Sequence, residues 1–428
     1  MEITSLLSDV SDKRNQPEND VKVIAFYLPQ YHPIRENDEW WGPGFTEWRN
    51  VARARQNFIG HYQPHYPADL GYYDLRLPET RQQQADLAHR YGIHGFCYHH
   101  YWFSGRRVLE RPFNEVLASG SPDFPFCLCW ANEDWTRTWI DTDSDVLLAQ
   151  HYRPEDAEKF IYDLIPAFHD RRYIRVDQKP LLLVYRVDLI PDIQHIADLW
   201  RQICEKEGLK GLYLAAVQFL GIDDPRPYNF DAAVEFPPHH YINDDTLPSD
   251  PITYTNPDCR GWASDYEKVV RQALNRSIPN YVLFRGAMPS WDNTARRQNT
   301  SHFFINASPA AFGYWMTQLV ENARTIHPAT RRLVFVNAWN EWGEGCHLEP
   351  DLQHGHAFLE ELNRALSRTA NRDRLLESID LSSLGMILSS EDLPEMFRRQ
   401  QRTIERLTGE VRRLRRALLT PIVKDPAQ

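Results

Sequence analysis

The feature that most narrows the fold is a repeated pattern: short apolar runs ending abruptly in polar or aromatic residues, separated by amphipathic stretches. The first, "VKVIAFYLPQYHP", packs β-formers from Val21 to Leu28 and stops at Pro29, as expected of a strand buried on both faces. Seven more follow: "GIHGFCYHHYWF" from Gly92, "FPFCLCWANEDW" from Phe124, "KPLLLVYRVD" from Lys179, "GLYLAAVQF" from Gly211, "FDAAVEFPPHH" from Phe230, "NYVLFRGAMPSWDN" from Asn280 and "RRLVFVNAWNEW" from Arg331. Between them lie helix-like segments such as "PETRQQQADLAHRYG", with Pro78 near its start and Gly92 at its end, the usual asymmetry of helix termini. "PEDAEKFIYDLIPAF", "IPDIQHIADLWRQICEKEG", "WASDYEKVVRQALNR" and "SPAAFGYWMTQLVENAR" read the same way. Eight short strands alternating with helices predict an α/β fold, a (β/α)8 TIM barrel whose closed ring leaves no strand edge exposed. An open doubly wound sheet is the rival. It is disfavoured because "YLPQYHP" offers proline where that fold needs a glycine-rich phosphate turn.

Within the 428 residues, 1–20 are polar and aperiodic and read as a tail, 21–371 as the barrel, and 372–428 as a C-terminal helical, coiled-coil-like extension. Phe397, Ile404, Val411 and Leu418 stand at heptad spacing among arginines, with Leu407 and Leu414 between them. Such a basic helix over 397–418 docks on its own domain, self-associates or meets an acidic surface. The long insertions Pro29 to Arg81 and Pro237 to Trp262 are expected as βα-loops on the catalytic face.

The net charge of −11 argues against a nucleic-acid binder, since phosphate recognition wants a basic footprint. The six cysteines lack paired zinc-ribbon spacing and read as reduced core thiols. No basic n-region leads into an apolar run, and no stretch approaches the roughly 20 apolar residues of a membrane span. A cytoplasmic location without a transmembrane segment is the expectation.

In a barrel the strand C-termini converge on one face, so polar and aromatic residues there are the candidates for function. They are Tyr27 and His32 after the first strand, Tyr98 and His100 in the second, and Trp130, Asn132 and Glu133 after the third. Tyr185 ends the fourth and Glu235 the sixth, Trp291 and Asp292 follow the seventh, and Asn337, Asn340, Glu341 and Glu344 follow the eighth. Flat rings and bidentate amides and acids suit an oligosaccharide or polysaccharide. Arg186 and Arg285 could meet an anionic group. Glu341 and Glu344 are the sharpest pair: on a turn, residues three apart approach to roughly 5–6 Å, near the separation of about 5–5.5 Å used by retaining glycosidases. A structural role for one glutamate, as a cap or ion-pair partner, is the competing interpretation. Adjacent histidines such as His99 and His100 point to opposite faces of a strand and do not share a metal, so no metal is expected there.

The blocks "FYLPQYHPIRENDEWWGPGFTEW", "GYYDLRLPE", "YGIHGFCYHHYWFSGRRVLERP", "PFCLCWANEDWTR", "FDAAVEFPPH" and "VNAWNEWGEGCHLEPD" together resemble the WbsX-like branch of glycoside hydrolase family 99, the endo-α-mannosidase family. The resemblance implies a (β/α)8 barrel acting on α-manno-configured glycans without a cofactor, by hydrolysis or by transfer, in surface polysaccharide (O-antigen or capsule) metabolism. It implies that Glu341 acts as base on the sugar 2-hydroxyl and that Glu344 protonates the leaving oxygen. Gly343 departs from the family's hydrolases, which carry a bulkier residue there. Two alternatives remain at this point. One is a nucleotide-sugar-dependent glycosyltransferase, supported by the "DTDSD" loop of Asp141, Asp143 and Asp145, and the other is a non-catalytic glycan-binding protein.

Overall fold

All eight apolar runs become strands of one ring. The computed structural model describes residues 20–136, 146–219 and 221–378; most of the N-terminal tail, the "DTDSD" loop and the 397–418 heptads lie outside the described residues. In it β1 (Lys22–Tyr27), β2 (Ile93–Phe103), β3 (Phe126–Trp130), β4 (Lys179–Val184), β5 (Tyr213–Gln218) and β6 (Ala232–Glu235) pair in parallel, each with the next. The seventh strand, β7, has two short pieces, Leu283–Phe284 pairing β6 and Gly286–Ala287 pairing β8 (Leu333–Val336), and β8 pairs β1 to close the ring. Glu235 sits at the break in β7. Its carboxylate accepts from Gly286 N at 3.0 Å and from Arg285 Nε at 2.9 Å. A Cβ on Gly286 would lie 2.5 Å from the Glu235 carbonyl oxygen, so only glycine fits.

Every residue of β3 is buried, as are Leu181 to Val184. The strands therefore read as continuous apolar runs because both faces are covered. The helices lie outside the ring: α1 (Pro78–Arg90), α2 (Arg111–Ser119), α3 (Asp156–His169), α4 (Ile193–Lys206), α5 (Tyr266–Leu274), α6 (Pro309–Ile326) and α7 (Ala357–Ser378). Helix α6 starts on a cap in which Ser308 Oγ accepts from Ala311 N. Two local expectations are corrected. "WASD" is a strand, Trp262–Asp265, pairing in parallel with His302–Ile305, and Asp265 then caps α5. Among the described residues between β5 and β6, only a 3-10 turn, Arg226–Tyr228, occupies the place of a helix.

The compact body runs to Asn371. All six cysteines are free. Among the described residues no helix is long and apolar enough to cross a membrane.

Candidate active site

A cleft of about 330 Å³ opens at the C-terminal ends of the strands. The insertion after β1 supplies much of its wall, through Asn37, Trp40, Trp41, Phe45 and Glu47, and the insertion after β6 supplies Phe236 and His239. His99 and Tyr101 of β2 reach it from inside the ring.

Its floor carries Glu341 and Glu344. After β8 the chain forms a two-residue strand, Asn340–Glu341, then a single 3-10 turn, Trp342–Glu344, then the strand Cys346–His347 that pairs back on Asn340–Glu341. Residues three apart eclipse on a 3-10 turn, so both carboxyls project to one side. The turn is held from behind: Tyr31 Oη donates to Asn340 O at 2.8 Å and accepts from Trp342 N at 3.1 Å. Buried Glu349 takes Trp342 Nε1 at 2.6 Å, Tyr73 Oη at 2.8 Å and Gln84 Nε2 at 2.7 Å.

One arginine joins the pair. Arg296, on the short helix Thr294–Arg297 after β7, donates through Nη2 to Glu341 Oε1 at 2.5 Å, through Nη1 to Glu344 Oε1 at 2.8 Å and through Nε to Glu47 Oε2 at 3.2 Å. Arg296 and Glu47 are each 4% exposed. Three carboxylates thus share one guanidinium. Burial pushes Glu341 up to about 8; Arg296 opposes the shift, and Glu344 and Glu47 add to it. Burial raises Glu344 as well, again against Arg296. A cluster of this kind holds a proton at neutral pH, as an acid–base pair requires. The second oxygen of each glutamate remains available to a ligand.

Of the residues expected from sequence, Glu133, Tyr185, Trp291, Glu341 and Glu344 line the cleft. The others do not, for two reasons. The first is strand parity: with His99 and Tyr101 inside the ring, Tyr98 and His100 point outward. Tyr98 packs on Phe113 of α2, and His100 on Phe160 of α3. Tyr27 likewise donates outward to Gln84 of α1 at 2.7 Å, and Trp130 stacks on Phe160 at 4.1 Å. Burial pushes the enclosed His32 down to about 4.

The second reason is that amides and acids at strand ends clamp backbone. Asn340 accepts from Leu28 N at 2.8 Å and donates to Leu28 O at 3.0 Å. Asn132 grips Arg186 through both its N and its O at 2.8 Å, and Asn337 donates to Pro237 O at 2.8 Å. Glu235 pairs with Arg276 at 2.8 Å and Arg285 at 2.9 Å. Asp292 turns away to His61 Nε2 at 2.6 Å and Gln63 Nε2 at 2.7 Å, while its N–H donates to Glu344 O at 2.6 Å. Asn340→Ala is expected to destabilise the protein by about 2–4 kcal/mol, because the buried Leu28 N–H and C=O lose their partners. Urea unfolding of variant and wild type measures it.

Behind the cleft, His65, His347 and Asp351 present metal-ligating atoms within 4.8 Å of one another. His347 Nδ1 is 2.8 Å from Glu349 O, and its Nε2 is 2.8 Å from His65 Nδ1. Burial pushes both rings down to about 3, so both are neutral. A hydrogen bond from His65 to His347 satisfies this arrangement.

The sequence over residues 23–362 matches the family described as Glycosyltransferase WbsX. The protein WxcX of Xanthomonas campestris pv. campestris, in strains B100 and ATCC 33913, is 45% identical over 350 residues, 81% of this chain. The chain spans about half the length of these curated relatives, 50% in each. Among solved structures, the GH99 endo-alpha-mannosidase from Bacteroides thetaiotaomicron in complex with BIS-TRIS-propane aligns with TM-score 0.50 at 13% identity, covering 83% of this chain and 99% of that one. A glycoside hydrolase-like protein aligns with TM-score 0.51 at 17% identity, covering 81% and 94%. These likenesses are of fold, and both agree with the (β/α)8 ring. On the extent of the profile match and the WxcX identity, the chain belongs to the WbsX glycosyltransferase family.

Proposed function

We propose that the cleft is the active site of a carbohydrate-active enzyme that cleaves or transfers α-linked manno-configured units, mannose-like or rhamnose-like, with retention, in surface polysaccharide metabolism. The observation that carries the reading is the pair of glutamates at the two ends of one 3-10 turn, Glu341 buried and Glu344 half-buried, tied to one guanidinium at the floor of an aromatic cleft. Glu341 takes the proton from the sugar 2-hydroxyl while that oxygen attacks C1 and the bond from C1 to the leaving oxygen breaks. Glu344 delivers its proton to the leaving oxygen. In the second half Glu344 removes a proton from water or from an acceptor hydroxyl, whose oxygen opens the 1,2-anhydro ring at C1, and Glu341 returns its proton to O2. Water gives hydrolysis and a sugar hydroxyl gives transfer; the family's description as glycosyltransferases supports the second. Rings such as Trp40, Trp41 and Trp291 suit stacking on sugar faces.

The test is turnover of an α-mannosyl or α-rhamnosyl fluoride with product configuration followed by NMR. Retention is expected, with Glu341→Gln lowering kcat/KM by about 10²–10⁴-fold. Unchanged turnover in that variant, or an inverted product, sinks the mechanism. Glu341 works ionised and Glu344 protonated, so kcat/KM of the free enzyme should be bell-shaped in pH, falling on the acid side as the pair takes a second proton and on the basic side as it loses its last. Stability changes in one direction only: a carboxyl raised on folding favours the folded state while protonated, a contribution present below the ordinary carboxyl range and lost as pH climbs through about 8.

A further inference from the structure

Most of the cations in and around the cleft already have partners. Arg296 holds three carboxylates. Arg186 holds Glu133 at 2.6 Å and Asp188 at 2.8 Å, and Arg285 holds Glu235. His239 is pushed by burial down to about 4 and is neutral. Arg297 is the exception. It follows Arg296 at the end of the helix Thr294–Arg297 and lines the cleft half-buried. Among the described residues its guanidinium has neither a hydrogen bond nor an ion pair. Burial disfavours its charge, which Glu344 offsets only from a distance.

A guanidinium does not shed its proton. Half withdrawn from water and without a carboxylate of its own, it gains from a counter-charge that arrives with a ligand. Its planar fork matches a pair of oxygens on phosphate or carboxylate. The neighbouring walls are aromatic, so a ligand oxyanion here would be shielded from competing water.

We propose that Arg297 receives an oxyanion carried by the substrate beside Glu344, either the phosphate of a glycosyl phosphate or the carboxylate of a uronic acid. Placing that anion on the leaving-group side rests on the reading of Glu344 given above. The substrate is then an anionic sugar, and Arg297 is the residue that selects it over a neutral one.

The test is calorimetric titration of the full chain with pyrophosphate and, separately, with glucuronate, for wild type, Arg297→Gln and Arg297→Lys. At least one anion should bind wild type, bind at least tenfold more weakly to Arg297→Gln, and recover part of that loss in Arg297→Lys. Dependence seen with pyrophosphate assigns a glycosyl phosphate; dependence seen with glucuronate assigns a uronic acid. If neither anion binds wild type, or Arg297→Gln binds both as tightly, the proposal is overturned. The unfolding midpoint of each variant separates lost binding from lost folding. Glycosyl fluoride turnover and its loss in Glu341→Gln test the paired-glutamate reading independently. Fluoride turnover with Arg297-independent anion binding overturns only the anion seat. Arg297-dependent anion binding without fluoride turnover overturns the paired-glutamate mechanism, and with it the leaving-group side given to the anion, and leaves the anion seat at Arg297.

Discussion

Arg296→Met should lower kcat/KM on a glycosyl fluoride by about 10³-fold and destabilise the fold by about 3–5 kcal/mol. The side chain is buried and donates to Glu47, Glu341 and Glu344 at 3.2, 2.5 and 2.8 Å. Methionine keeps much of the volume and removes the charge, leaving three enclosed carboxylates without a counter-ion. Burial already pushes Glu341 up, and Arg296 is what restrains the shift. Without it the pair must climb further and hold its protons longer, so the acidic limb of the pH–rate profile should move to higher pH. Arg296→Lys supplies one charge without the fork and should fall between the two. A limb that stays in place in Arg296→Met would mean that the arginine is structural filling and does not set the protonation of the pair. Urea unfolding and the pH–rate profile together measure both effects.

Gly343→Ala should cost about 1–3 kcal/mol and lower turnover by about 10²-fold, the scale of a 1 Å misplacement at a reacting centre. A Cβ there would sit 2.5 Å from Glu47 Oε2 and 2.8 Å from Arg296 Nε. Both atoms belong to the cluster that fixes the glutamates, so neither can yield without moving them. The small residue at 343 is where Arg296 and Glu47 close on the turn. The double variant Gly343→Ala with Glu47→Ala removes the closest clash, so its penalties should sum to less than the two singles. Strict additivity in that cycle would place the clash elsewhere.

The barrel was legible because strands covered on both faces write themselves as uninterrupted apolar runs. The same property hid which side chains enter the cleft. In "YHHYWF" every position is aromatic or histidine, so no alternation tells Tyr98 and His100, which face the helices, from His99 and Tyr101, which face the cleft. The glutamate pair was legible because its three-residue spacing and flanking glycines are local. Asn132, Asn337 and Asn340 look like sugar-binding amides in sequence, yet each clamps a backbone group on a distant segment, 54, 100 and 312 residues away. Arg296 was missed for the same reason: its carboxylate partners stand 45, 48 and 249 residues away. The only local signal was a pair of arginines just after "WDN". Helix α2 went unread because its nine residues leave little room for a periodic pattern.

Both carboxyls of the proposed reaction ride on one short turn, whereas the walls come from insertions after β1 and β6 that are separate stretches of chain. Substitutions in those insertions can change which sugar or acceptor fits while the spacing of the two carboxyls stays the same. Evolution can then work on recognition and bond-breaking as separate problems, and a collection of such chains could differ widely in what their clefts admit while the two carboxyls keep one spacing.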